Sequence, residues 1–139
     1  MDRNALVQFV RARRLAVLAT TSAGGHPQAE VVGIAATDEG DLVFDTTRAS
    51  RKFANLCRQP RVALVIGFDW GDEQTVQLEG VAAEVAQDDP AVAAYYEQLP
   101  SGRERAAWPD IVYVRVRPDW GRYSDYRPGS SGVQEISMP

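Results

Sequence analysis

The chain has 139 residues, of which 45% are apolar, and a formal net charge of -4. That length fits one domain with a core of its own. The acidic balance speaks against nucleic-acid binding, which needs a dominant basic surface, and no apolar run approaches the ~20 residues of a membrane helix. Cys57 is the single cysteine and His26 the single histidine, which excludes a disulfide framework and a multi-cysteine or His-rich metal site within one chain. The first residues, MDRNALVQFVRARR, alternate charge with apolar side chains and lack the apolar stretch of a secretory signal. A cytoplasmic protein is expected.

In chain order, Asp2 is placed to cap a helix whose apolar face carries Leu6, Phe9 and Val10. Leu15–Thr21 reads as a strand, and Gly24-Gly25 with Pro27 as a turn. Strands are expected over Ala29–Thr37 and Leu42–Thr46, joined by the hairpin signal Asp38-Glu39-Gly40-Asp41. A short helix fits Ser50–Arg58, with Phe53, Leu56 and Cys57 on its buried face and Pro60 ending it. Arg61–Phe68 is a near-continuous apolar run, as in a strand buried on both faces. In Thr75–Val85 the apolar positions change from even to odd after Gly80, which predicts an inserted residue or sharp bend there. Asp88-Asp89-Pro90 opens a third helix with a stripe of Val92, Tyr95, Tyr96 and Leu99, stopped by Pro100-Ser101-Gly102.

Ile111–Arg117 alternates, with Val112, Val114 and Val116 to one side. Tyr113, Arg115 and Arg117 go to the other, toward a partner or solvent. Trp120–Tyr126 is a candidate last strand, and the segment from Pro128 onward reads as loose. The division is a domain over residues 1–127 and a tail over residues 128–139. About seven strands with three short helices predict a mostly β, antiparallel barrel.

The sharpest local feature is Thr46-Thr47-Arg48-Ala49-Ser50-Arg51-Lys52. Three cations crowd a helix start, where the dipole and free N–H groups favour an anion. Either this is a phosphate site, or the cations simply reach into water. It is no Walker loop, and GxGxxG is absent. The remaining candidates have structural readings. Cys57 is expected as a small buried residue, His26 as an exposed turn residue, and Asp88-Asp89 as a cap. Tyr95 and Tyr96 are expected in packing, and Trp70, Trp108 and Trp120 in a core or an interface.

The stretch Gly40–Leu64, GDLVFDTTRASRKFANLCRQPRVAL, resembles the signature of the pyridoxamine 5'-phosphate oxidase-like FMN-binding family. The combination Ser50-Arg51-Lys52 with Pro60-Arg61-Val62 carries the likeness, which extends more loosely from Ala16 to Tyr126. The resemblance implies a split β-barrel of six to seven antiparallel strands, a homodimer, and two FMN (flavin mononucleotide) sites at the interface. It implies that Arg51 and Lys52 hold the FMN phosphate, with Thr46 and Ser50 near the phosphate and ribityl chain. Val31, Val32, Gly33 and Ile34 would line the flavin ring, and Gln74 or Thr75 would contact it. Trp120 and Arg122 would approach it from the partner subunit. There are departures. Glu30 stands where the oxidases carry an arginine for the phosphate, Asp45 replaces an aromatic, and GRYSDYRPG lacks the oxidases' Arg-x-His motif. Oxidation of pyridoxamine phosphate itself is therefore not expected.

The leading expectation is an FMN-dependent oxidoreductase with a small-molecule substrate and no catalytic side chain assigned, since the flavin carries the chemistry. The alternatives are a deazaflavin-dependent reductase, a flavin carrier or stress protein without turnover, and a barrel whose cofactor site has decayed.

Overall fold

A computed structural model describes residues 1–130 and 132–138. Helix α1 (Arg3–Arg13) starts where Asp2 accepts a hydrogen bond from the Ala5 N–H. It ends at Arg14, whose φ of 65° turns the chain into strand β1 (Leu15–Thr21). Strand β2 (Pro27–Gly33) returns antiparallel to β1. The single strand expected over Ala29–Thr37 is in fact two. At Ile34, fully buried, the backbone N–H turns to the Arg14 carbonyl. Beyond it β3 (Ala35–Ala36) pairs with β4 (Leu42–Thr47) through the expected hairpin. Helix α2 (Arg51–Arg58) leads to β5 (Arg61–Ile66) and β6 (Gln74–Val85). Helix α3 (Pro90–Gln98), capped by Asp89, continues into a 3-10 turn (Pro100–Arg105). The α-helix ends where Pro100-Ser101-Gly102 was expected to stop it, with Leu99 at φ -128° and ψ 75° between it and the 3-10 turn.

Strand β7 (Ile111–Asp125) runs unbroken through Pro118. The sheet order is β2-β1-β5-β6-β7-β4-β3, and β8 (Gly132–Glu135) pairs with the second half of β7. Gly132–Glu135, in the stretch expected to be loose, is therefore held in the sheet. Ile136 behind it is buried and donates its N–H to the Gly121 carbonyl.

The sheet curls around one core. Leu6, Phe9 and Val10 of α1 pack on Leu18, Leu64, Ile66, Val76, Leu78, Val114 and Val116. A second, smaller cluster lies outside the barrel, where α3 sets Val92 and Tyr95 on Ala35, Val43 and Tyr113. Tyr113, expected on a partner-facing or solvated side with Arg115 and Arg117, is buried because α3 covers that part of β7. On β5 only Val62, Leu64 and Ile66 are fully buried, while Ala63 and Val65 are half-buried. The strand is not covered on both faces.

The irregularity expected at Gly80 exists, but the inserted residue lies opposite it. Glu79 pairs Trp120 and Gly80 pairs Pro118, so Asp119 of β7 is the extra residue. Along β6 the even positions stay buried through Ala82, and Val81 is exposed. Gly80 is needed for close approach, because a Cβ there would lie 2.5 Å from the Arg117 carbonyl oxygen.

Candidate functional site

Strand β2 ends the sheet order, so one row of its backbone N–H and C=O groups lacks a strand partner. Facing it are the end of β4, the start of α2 and the α3 corner. Between them lies a cleft of about 430 Å³ lined by Glu30–Gly33, Asp45–Thr47, Ser50, Lys52, Tyr95, Leu99, Ser101 and Arg105. A second recess of about 310 Å³ adjoins it, with Arg51, Lys52 and Glu30 at its rim and Leu18, Thr20 and Gln28 deeper.

The start of α2 carries hydroxyls, free N–H groups and cations together. Ser50 accepts from the Phe53 N–H at 3.2 Å, and Thr46 donates its hydroxyl to Ser50 at 2.8 Å. The N–H groups of Arg51 and Lys52 have no partner among the described residues, and neither has the exposed Arg51 guanidinium. Lys52 Nζ lies 2.6 Å from Glu30 Oε1. Glu30, standing where the oxidases carry an arginine, holds the lysine. Arg48 turns outward to Glu84 at 2.8 Å and covers the Phe53 ring.

The opposite wall holds a polar cluster. Asp45 accepts from Arg105 Nε at 2.7 Å, and Arg105 also donates to the Tyr95 hydroxyl at 3.0 Å. Burial, reinforced by the Asp45 charge, pushes the Tyr95 phenol up to about 12. The Tyr96 and Tyr113 hydroxyls meet beside it in a short hydrogen bond.

The predicted residues fall into groups. Val31, Val32, Gly33, Thr46, Ser50 and Lys52 share the cleft, and Arg51 borders the adjoining recess. Ile34 is core. Gln74, Thr75, Trp120 and Arg122 do not line the cleft. Gln74 is engaged by Tyr123 and Asp72, and Thr75 donates to the Ile66 carbonyl. Arg122 stacks over Trp120, whose indole N–H reaches toward Glu135.

Cys57, expected as buried, is exposed, since the inner face of α2 is made by Phe53, Asn55 and Leu56. None of the three tryptophans is buried: Trp70 and Trp108 are exposed and Trp120 is partly covered. His26 is exposed in its turn, as expected. The Asp45–Arg105 ion pair in the cleft wall is the feature that pattern reading missed. Its only signal was a carboxylate inside an apolar strand. A wider depression of about 740 Å³ lies at Gly67–Asp72, but its charged pair, Arg13 and Asp72, is self-neutralised at 2.6 Å.

The model of the family described as "Pyridoxamine 5'-phosphate oxidase" matches residues 3–125. A pyridoxine/pyridoxamine 5'-phosphate oxidase of Rubrobacter xylanophilus is 37% identical over 93 residues, 66% of this chain and 41% of that protein. The match thus spans about two fifths of that oxidase's length. A protein named desampylase from Haloferax volcanii is 35% identical over 127 residues, 86% of this chain and 84% of its own.

Among solved structures, a pyridoxamine 5'-phosphate oxidase-related, FMN-binding protein of Nostoc punctiforme superposes with a TM-score of 0.71 at 17% identity, covering 94% of this chain and 84% of that one. A heme-binding protein of Mycobacterium smegmatis gives 0.79 at 20% identity, covering 96% and 56%. At such identities these structures establish the shared fold, a curled antiparallel half-barrel with few short helices. With its model aligned from α1 to the end of β7, the chain belongs to the pyridoxamine 5'-phosphate oxidase family.

Proposed function

We propose that the chain is a flavin-binding protein that holds FMN in the β2–α2 cleft and works as an oxidoreductase on a small molecule. One observation carries this reading: the unpaired edge of β2, the Thr46 and Ser50 hydroxyls, and two cations with free backbone N–H groups converge on one cleft. Arg51, Lys52 and the start of α2 would take the phosphate as charge-assisted hydrogen-bond donors. Thr46 and Ser50 would meet the ribityl chain, and Val31–Gly33 would present backbone groups to the ring edge. When bound, the flavin supplies hydride and electron transfer. The protein's part is grip, orientation and exclusion of water.

Trp120 and Arg122, which lie outside the cleft, would reach it from the partner in a homodimer where each subunit completes its partner's site. The cleft lining offers no imidazole or thiolate as a heme ligand.

The test is the visible absorbance of the purified protein after addition of FMN and removal of the excess. A retained flavin spectrum is expected, and Arg51→Ala with Lys52→Ala should weaken FMN binding by at least roughly 100-fold, as loss of two charged contacts to phosphate does. A protein that stays colourless, or a double variant with unchanged affinity, refutes the assignment. Reduction of the bound flavin by a nicotinamide nucleotide separates an enzyme from a carrier.

A further inference from the structure

We propose that Glu30 sets how strongly the cleft discriminates a phosphate-bearing flavin from one without phosphate, by holding Lys52 in the free protein and yielding it to the phosphate. The inference rests on the flavin reading above. The cleft along β2 and the recess beside Arg51 share only two lining residues, Glu30 and Lys52. Their ion pair is therefore a bar between two halves of one groove.

The pair is asymmetric. The Lys52 side chain is 15% exposed, whereas that of Glu30 is 52% exposed. Lysine is the fixed member, because leaving its place uncompensated would strand a largely buried charge. Glutamate is the movable one, since it can swing into water, where a carboxylate is well solvated. The chain around Glu30 need not move, because Glu30 is held in register on β2 opposite Leu18. Among the described residues no other carboxylate pairs with Lys52, and Arg51 is without a partner.

A phosphate seated between Arg51 and Lys52 must take over the lysine and repel the carboxylate. The apo protein thus carries its own anion at the phosphate position. Part of the affinity that phosphate would add is offset by displacing it. A neutral ribityl terminus meets no such competition.

Titration of FMN and of riboflavin, each followed by quenching of flavin fluorescence, tests this in the unsubstituted protein and in Glu30→Gln and Glu30→Ala. Glutamine keeps the shape and an acceptor for Lys52 but removes the charge. In both variants FMN should bind roughly tenfold more tightly, as removal of a half-exposed like charge near a dianion predicts. Riboflavin affinity should change less than about twofold. If FMN affinity is unchanged, or both ligands shift in parallel, Glu30 does not compete with phosphate although the flavin site stands. If neither ligand binds any of the three proteins, the flavin reading fails and this inference with it.

Discussion

Tyr95 illustrates how a single side chain ties the outer cluster to the cleft. Its ring is carried by α3 onto Ala35, Val43 and Tyr113, and its hydroxyl accepts from Arg105, which in turn satisfies Asp45. A phenol in this place ionises only by putting a second negative charge beside Asp45 in poorly hydrated surroundings. Its value of about 12 lies above the ~10 of a free phenol. The stability that the neutral phenol contributes is therefore complete below pH ~10 and lost as pH rises toward about 12. The difference between alkaline phenolate titrations of the unsubstituted protein and of Tyr95→Phe should show a group with its midpoint near 12. A midpoint near ~10 would mean that the ring is hydrated and the cluster looser than described.

At the scale of elements, the cleft exists because two strands change neighbours. The chain leaves β1 at Ile34 and joins β4, which brings the β2 edge and the α2 start to face each other. The bulge at Asp119 keeps the inward face of β7 in phase while β7 spans β4, β6 and β8. Gly80 is the residue that lets the two backbones approach at that point. Gly80→Ala should destabilise the protein by about 1–3 kcal/mol, because the added methyl meets backbone that cannot rotate away. Urea unfolding monitored by tryptophan fluorescence measures it, and an unchanged midpoint would show that the β6–β7 contact relaxes freely.

For the molecule as a whole, β8 and the residues after it close the open side of the sheet. Ile136 is buried, and Gly121 sits under Ile136, Met138 and Leu78. The N-terminal ammonium donates to the Gln134 side chain, which ties the start of the chain to its last strand. Removing residues 132–139 should cost at least the burial of one large aliphatic side chain, about 1.5–3 kcal/mol. Thermal unfolding should show a lower midpoint with the cooperative transition retained. An unchanged melting curve would make β8 dispensable to the fold. The proposed homodimer also belongs to this scale, since in it a second copy would bring Trp120 and Arg122 toward a cleft they do not line.

Much of this was legible in the residues. Asp2, Ser50 and Asp89 cap their helices, and β1 runs from Leu15 to Thr21 as expected. The hairpin at Asp38–Asp41 forms, and the Ser50-Arg51-Lys52 signature opens α2 beside the cleft. Caps, turns and periodicity involve residues within a few positions of one another, so the chain itself states them.

Pairings between distant residues are not written that way. Lys52 meets Glu30 across 22 positions, and Arg105 meets Asp45 across 60. Each pairing depends on strand register and on where α3 docks. The same holds for Tyr113, which alternation turned outward and α3 then covered, and for Cys57, left outside when Phe53, Asn55 and Leu56 took the inner face of α2. Sequence by itself determined most of the elements, the family and the capped, cation-rich start of α2. Tertiary packing alone decided which charges were already paired, because a counter-ion is chosen by distance in space.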